Sequence, residues 1–467
     1  MKKSLLFASA LVLSVSSAFA GVDADEASYA TTNGIDVDCM WLHSRVNGSW
    51  ASGNQDIPFI ASYAKVRTAT IWTDANGADK VVMGYSKPQD YEKADGSGVE
   101  AIDTATLLVY NIENGALENE IQLSYNNEPI KNLLCANQVG TDDAGNLWIA
   151  GYIPTISNEA PYKVYVVKDI TTGECDLAAE LYLPEDDMAA SGRIDYCDIL
   201  GDVTGATSHG IVMAPIASGS DLYVLRWKRE QGAAEWAGDF DGFVSLAMGE
   251  AYPAGQTTWA TAPSVAILWD EELTGENFYV DGNTTCPSLY NTTGSMLESF
   301  ATATDMAPAV ACNGVAEFEL ADKNFIVYVL AQYNATPGCA IRVAELGEGM
   351  VFEGMTKYWD LPAAGLGEVS DSGTRIHGIM TTAKMTDEAG KTARYLLTYK
   401  CNNGIGVYRI QEEGFQGTQG IDGVIADQDA NTPAVYYNFQ GVQVQNPENG
   451  MYIVKRGNTV TKEAIVK

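Results

Sequence analysis

Residues 141–151 read TDDAGNLWIAG. Asp142, Asp143 and Gly145 supply turn chemistry, because a short carboxylate caps backbone N–H groups just ahead of it and glycine takes a positive φ without steric cost. From Leu147 the chain alternates, with Leu147, Ile149 and Gly151 on one side and Trp148 and Ala150 on the other. That two-residue period is a strand, so the stretch is the turn and second strand of a β-hairpin.

The same turn returns along the chain at residues 74–77, 202–205, 270–275 and 387–390, and in shortened form at residues 322–324. An apolar strand follows each one: Val81-Val82-Met83, Leu147-Trp148-Ile149, Ile211-Val212-Met213, Phe278-Tyr279-Val280, residues 325–330 and residues 395–398. The repeat of roughly 50 to 70 residues suits a four-stranded propeller blade with generous loops. A single such sheet cannot cover both of its faces, whereas sheets stacked radially cover one another and keep their edges short. The expected fold is all-β, a β-propeller of six blades in which strand one leads into the acidic turn and strand two is the most apolar. Seven blades is the alternative, because the last unit shows only residues 406–411 as a third strand. The strand at residues 37–45, carrying Met40, Trp41 and Leu42, stands apart and is placed to close the ring. Residues 84–105 and 247–262 read as long loops. Stacked sandwiches and a solenoid are the rival arrangements, but the first lacks a common turn and the second has shorter repeats.

The remaining chain divides around this body. Residues 1–20 have the Lys2-Lys3 n-region, an apolar run and the Ala18-Phe19-Ala20 cleavage pattern of a secretory signal. Residues 21–36 are acidic and poor in large apolar side chains; residues 37–413 carry the repeats; residues 414–432 form a glycine-rich linker. Residues 433–467 form a separate small β module. No run after the signal reaches the roughly 18 apolar residues that span a bilayer. The compartment is therefore expected to be outside the cell or at its surface, with the periplasm as the alternative.

A formal net charge of -33 repels nucleic acid and anionic lipid surfaces. Eight cysteines are scattered without a Cys-x-x-Cys pair, and most sit in or beside expected strands, so buried free thiols are expected in preference to disulfides or zinc. No acidic turn has the spacing of a calcium-binding loop, and their carboxylates are read as turn caps. No metal or cofactor is implied.

In the tail, Tyr436-Tyr437-Asn438-Phe439-Gln440-Gly441-Val442-Gln443-Val444 is followed by Asn449-Gly450-Met451-Tyr452-Ile453-Val454-Lys455 and a last strand at residues 462–467. This order resembles the carboxy-terminal tails of secreted Bacteroidetes proteins, akin to the type IX secretion sorting domain, without that family's upstream half. Signal, body and tail together resemble the secreted β-propellers of gut Bacteroidetes. The resemblance implies a compartment and no chemistry. Read from residues alone, the tail is three short strands.

Catalytic signatures are sparse. There are three histidines, no nucleophile elbow, no zinc-protease helix, no phosphate-binding loop and no dinucleotide fingerprint. His209 and His377 share a His-Gly-Ile context and read as ordinary strand histidines. A sharper coincidence lies in the arginines, since Arg67, Arg193 and Arg375 each precede the first strand of a repeat. In a propeller that strand starts at the mouth of the central channel, where guanidinium forks would meet a carboxylate or sulfate. The competing reading is that they neutralise acidic loops. Trp259 and Tyr333, with Tyr125, Asn126 and Asn127, lie in loops able to stack on sugar rings and bond hydroxyls. Asp195 and His377, each two residues beyond a mouth arginine, are the only catalytic candidates. The expected function is a non-catalytic binding or interaction propeller for an acidic oligosaccharide, another carboxylated ligand or a surface protein. The alternative is a carbohydrate-active enzyme, a polysaccharide lyase or glycoside hydrolase, on the same scaffold.

Overall fold

The computed structural model describes residues 29–44, 67–92, 98–131, 138–157, 159–183, 192–218, 221–238, 244–247, 263–282, 285–300, 314–330, 340–363, 365–366, 380–381, 385–400, 404–416, 435–437, 443–444, 450–456 and 459–465. Every assigned element is a strand. The acidic turns dictate the layout, since each one reverses the chain after a short first strand and returns it as an apolar second strand.

Blade 1 consists of Ala69–Thr73, Asp79–Glu92, Val99–Asn111 and Leu117–Gln122, hydrogen-bonded in that order. Blade 2 is Gln138–Thr141, Leu147–Ala150, Tyr162–Asp169 and Glu174–Leu181, with Ser124–Tyr125 and Glu128–Pro129 added at its outer edge. Blade 3 is Asp198–Gly201, Gly210–Ser218 and Asp221–Arg229, its outer edge shared between Ala237–Gly238 and Val244–Ala247. Blade 4 is Ser264–Ile267, Asn277–Gly282, Thr285–Asn291 and Met296–Ser299, and blade 5 is Val315–Leu320, Lys323–Leu330, Ala340–Gly347 and Val351–Leu361. Blade 6 takes Met380–Thr381, Thr392–Lys400 and Gly404–Glu412 from the end of the body and its fourth strand, Ile35–Ser44, from the beginning.

That last pairing closes the ring as expected. It is antiparallel, from Ile35 opposite Glu412 to Ser44 opposite Gly404, with a bulge between Cys39 and Trp41. The strand is also clamped to blade 1, because Trp41 Nε1 donates to Ile112 O at 2.7 Å. Gly115 permits the approach: its φ is +67°, and a Cβ there would stand 2.6 Å from the Trp41 ring. Among the described residues the body forms six blades.

The core confirms the closure. It consists of six apolar clusters, one at each junction between neighbouring blades, including Trp41, Ile71, Met83, Leu397 and Val407 between blades 6 and 1. Each fully buried Val, Leu, Ile or Phe in these layers contributes about 1.5 to 3 kcal/mol, so an open ring would leave two faces wet.

Three expectations need correction. Residues 84–105 are mostly hairpin: Asp79–Glu92 pairs with Val99–Asn111 out to Glu92 opposite Val99. The alternation was hidden because Lys87, Gln89 and Asp90 lie beyond the core and carry no apolar period. The short turn of blade 5 lies at Ala321 and Asp322, both with positive φ, so Lys323 already belongs to the strand. The tail has four strands, Val435–Tyr437, Gln443–Val444, Gly450–Arg456 and Thr459–Ile465, the first two paired antiparallel. Residues 386–390 and 416–467 make up this second compact unit.

Candidate functional site

The first strand of each blade runs from one rim of the ring to an acidic turn at the other. At the turn rim the carboxylates act as caps and stitches. Asp142 accepts hydrogen bonds from the backbone N of Ala144 and Asn146 and, across to blade 3, from Val203 N at 2.9 Å. Asp143 accepts from Gly201 N at 2.7 Å, and Asn146 Nδ2 bridges Asp142 and Asp202. Asp202 also accepts from Thr204 and Thr207, which more than offset its burial and hold its pKa down to about 2. His209 lies just before blade 3's second strand, with Nε2 at 2.8 Å from Leu273 O.

The other rim holds the arginines. Arg67, just before blade 1's first strand, is buried at 4 % exposure and donates from Nη1 to Asp195 Oδ1 at 3.0 Å. Arg193 meets the same carboxylate with Nε and Nη2. Asp195 is 1 % exposed, so both of its oxygens are engaged inside the protein, while the Arg193 side chain keeps 34 % exposure. The Tyr152 ring covers one face of Arg193, its centroid 4.8 Å from Cζ. Burial alone would lower the Arg193 pKa, but the hydrogen bond and charge of Asp195 outweigh it and raise it further. Its Nε and Nη2 groups are engaged by Asp195 and one face by Tyr152.

Backbone pairing explains why the geometry is fixed. Ile194, between Arg193 and Asp195, forms a two-way antiparallel bridge with Ile153, at 3.2 and 3.0 Å, and this carries Tyr152 to Arg193. Two residues beyond Asp195, the amide of Gln138 clasps Cys197: Cys197 N donates to Gln138 Oε1 at 2.6 Å, and Nε2 donates to Cys197 O. Thr68 Oγ1 accepts from Val139 N at 2.8 Å, linking blades 1 and 2. Each of these polar groups is buried with its partner in place.

Two of the three aligned arginines are thus brought together, and Asp195 lies between them. Arg375, His377, Trp259 and Tyr333 lie outside the described residues. Tyr125 is remote in role, packing edge-on against Tyr165 at 5.5 Å in the outer part of blade 2. Gln138 and Tyr152 were missed by sequence reasoning. Gln138 opens blade 2's first strand much as Arg67 precedes blade 1's, but it carries no charge to mark the position. Among the described residues, Cys175 and Cys197 are free, buried thiols, and burial pushes Cys175 up to about 12.

Further carboxyls lie at the blade 3–4–5 junctions. Asp198 accepts from Ile267 N at 2.6 Å, and Asp281 accepts from Gly314 N at 2.8 Å and from Ser264 Oγ. Burial raises both to about 7 against these hydrogen bonds. Among the described residues, no group of three or more His, Cys, Asp or Glu is placed to hold a metal, and no helix is long and apolar enough to cross a membrane.

The fold and this rim define a six-bladed β-propeller with an arginine-carboxylate cluster at one end of its first strands. No protein-family model matches the chain, and no curated protein does. Among solved structures, the chain is similar to the GH93 α-L-arabinofuranosidase of Fusarium graminearum, with 10 % identity, 76 % of this chain and 95 % of that chain covered, and a TM-score of 0.42. It is similar to the α-L-arabinanase of Penicillium chrysogenum at 9 % identity, with 75 % and 94 % covered and a TM-score of 0.39. The GH43 endo-arabinanase of Bacillus licheniformis matches at 11 % identity, 69 % and 99 % coverage and a TM-score of 0.32. At these identities and scores the likenesses bear on neither substrate nor mechanism.

Proposed function

We propose that this protein is a secreted or surface-exposed carbohydrate-binding propeller that holds an acidic sugar by its carboxylate at the arginine rim. One observation carries the reading: Arg193 is fixed by Asp195 along one edge and by Tyr152 on one face, yet keeps 34 % of its side chain exposed. A guanidinium fixed in this way loses little freedom on binding, and its remaining N–H groups match a planar carboxylate. The same observation weighs against catalysis by Asp195, whose oxygens are taken by three hydrogen bonds and shielded from substrate.

The second reading, a carbohydrate-active enzyme, draws support from Asp198, which is part-buried and whose carboxyl, raised to about 7, is in the range of a general acid at neutral pH. Asp281, at 1 % exposure, is as shielded from substrate as Asp195. A panel of uronic-acid and matched neutral oligosaccharides, followed both for binding and for new reducing ends, separates the two. Binding of the acidic members without turnover supports the binding protein. Turnover lost in Asp198→Asn supports the enzyme, and binding of neutral and acidic members alike removes the arginine site from recognition.

A further inference from the structure

We infer that the outer edge of blades 1 and 2 holds a second binding site, a polar cleft for a neutral oligosaccharide, whether or not Arg193 holds a carboxylate. Two additions to the plain four-stranded blade build it. One is the hairpin of Asp79–Glu92 with Val99–Asn111, which runs on past the core. The other is the pair Ser124–Tyr125 and Glu128–Pro129, which makes blade 2 a six-stranded sheet. A cleft of about 640 Å³ is lined by Gln89 and Asp90 of the hairpin, Gln122 of blade 1's last strand, Asn127 of the added pair, and Thr171 and Thr172 of a blade 2 turn. That volume falls in the range of about 300 to 1,000 Å³ usual for small-molecule sites.

The walls are fixed by backbone bonds. Ser124 N donates to Gly173 O at 2.8 Å, Leu123 N to Ala105 O at 2.8 Å, and Ile130 N to Leu123 O at 3.0 Å. Gly173, with a φ of +74°, lets blade 2's turn abut blade 1, because a Cβ there would stand 2.0 Å from Gln122 O. The turn between Tyr125 and Glu128 places Asn126 and Asn127 at positive φ, 53° and 63°. Such a turn favours Asn-Gly, since glycine takes this φ without steric cost. A second asparagine gives up that ease and brings a primary amide to the cleft. Among the described residues, no protein group hydrogen-bonds to the side-chain amides of Gln89, Gln122 or Asn127. A primary amide both donates and accepts, as a pair of neighbouring sugar hydroxyls does in return. No described lysine or arginine lines the cleft, Glu120 in its wall is paired with Lys87, and Asp90 accepts from hydroxyls but repels anions. This chemistry selects a neutral polyhydroxylated ligand and refuses the acidic sugars proposed for the arginine rim.

The test is titration with maltose, cellobiose, lactose and xylobiose followed by saturation-transfer difference NMR, with spermidine as a cationic probe and a melting curve for every variant. At least one neutral disaccharide binds the wild-type protein. N127G weakens it about threefold to tenfold, the scale of one or two hydrogen bonds. The melting temperature of N127G stays at or above that of wild type, because glycine suits the turn. Q122A weakens the same ligand on the same scale. R193Q leaves it unchanged, so neutral binding at the cleft is told apart from carboxylate binding at the rim. No neutral binder in the panel, or neutral binding that N127G and Q122A leave at wild-type strength, overturns the inference. Neutral binding that falls in R193Q and not in N127G places the sugar at the rim and overturns it as well. Spermidine bound in place of every disaccharide, and lost in N127G, makes the cleft a cation site and overturns the ligand class. Should N127G melt below wild type, Q122A decides, at a position exposed on the outermost strand.

Discussion

Arg67 Nη1 lies 3.0 Å from Asp195 Oδ1 although the residues belong to blades 1 and 3 and are 128 positions apart. Both side chains are almost fully buried, at 5 % and 1 % exposure, so the pair spans the start of blade 2 inside the protein. Removing one member of a buried ion pair leaves the other charge poorly compensated. Asp195→Ala should therefore cost about 3 to 5 kcal/mol of stability, whereas Arg193→Ala, at a part-exposed position, should cost under about 1 kcal/mol. Chemical denaturation of the two variants checks the contrast, and equal losses would contradict it.

Ring closure gives a second prediction. Trp41 is 1 % exposed and joins the N-terminal strand to blade 1 through Ile112. Trp41→Ala should cost about 3 to 5 kcal/mol, and removal of residues 29–44 should lower the melting temperature of the whole body, since the pairing partner of Gly404–Glu412 is lost. An unchanged melting curve after the deletion would refute closure by this strand.

The pH dependence has a definite sign. Burial raises Asp281 to about 7, against hydrogen bonds from Ser264 and Gly314. The folded state then holds a proton that the unfolded chain, with a carboxyl near 3.9, has released, over about pH 4 to 7. Stability contributed by this group is fully present below that window and falls as pH rises through it, by up to about 1.4 kcal/mol per pH unit. Asp281→Asn, neutral at every pH, should flatten that slope in melting temperatures measured from pH 5 to 8. A slope unchanged in the variant would show that Asp281 does not carry it.

At the opposite rim, Asp142 joins its own turn to blade 3 through Val203 N. Asp142→Ala should cost about 1 to 3 kcal/mol, because it leaves buried N–H groups without an acceptor, and Asp142→Asn should cost less. Urea unfolding of both variants measures this, and a neutral alanine variant would mean that water replaces the carboxylate freely.

Much of this architecture was legible because it is local. The Asp-to-Gly turns announce themselves through residues that cap backbone and tolerate positive φ: Gly77, Gly145, Gly205, Gly275 and Gly390 all have it. The apolar second strands alternate visibly, and an orphan strand before the first repeat matched a missing strand after the last. The hairpin beyond Tyr85 was hidden because its outer half packs against no core and so has no apolar period. The site was half legible. Alignment of Arg67 with Arg193 came from the repeat, but that they share Asp195, with Gln138 and Tyr152 fixing the geometry, depends on contacts between blades that no sequence spacing encodes.

The most direct test of the carboxylate site is a crystal structure of the protein with a uronic-acid oligosaccharide. The account predicts the sugar carboxylate within hydrogen-bonding distance of Arg193, on the side away from Asp195, with Arg67 still on Asp195 and out of contact with the ligand. A sugar bound elsewhere on the ring, or one whose carboxylate faces away from Arg193, would contradict it.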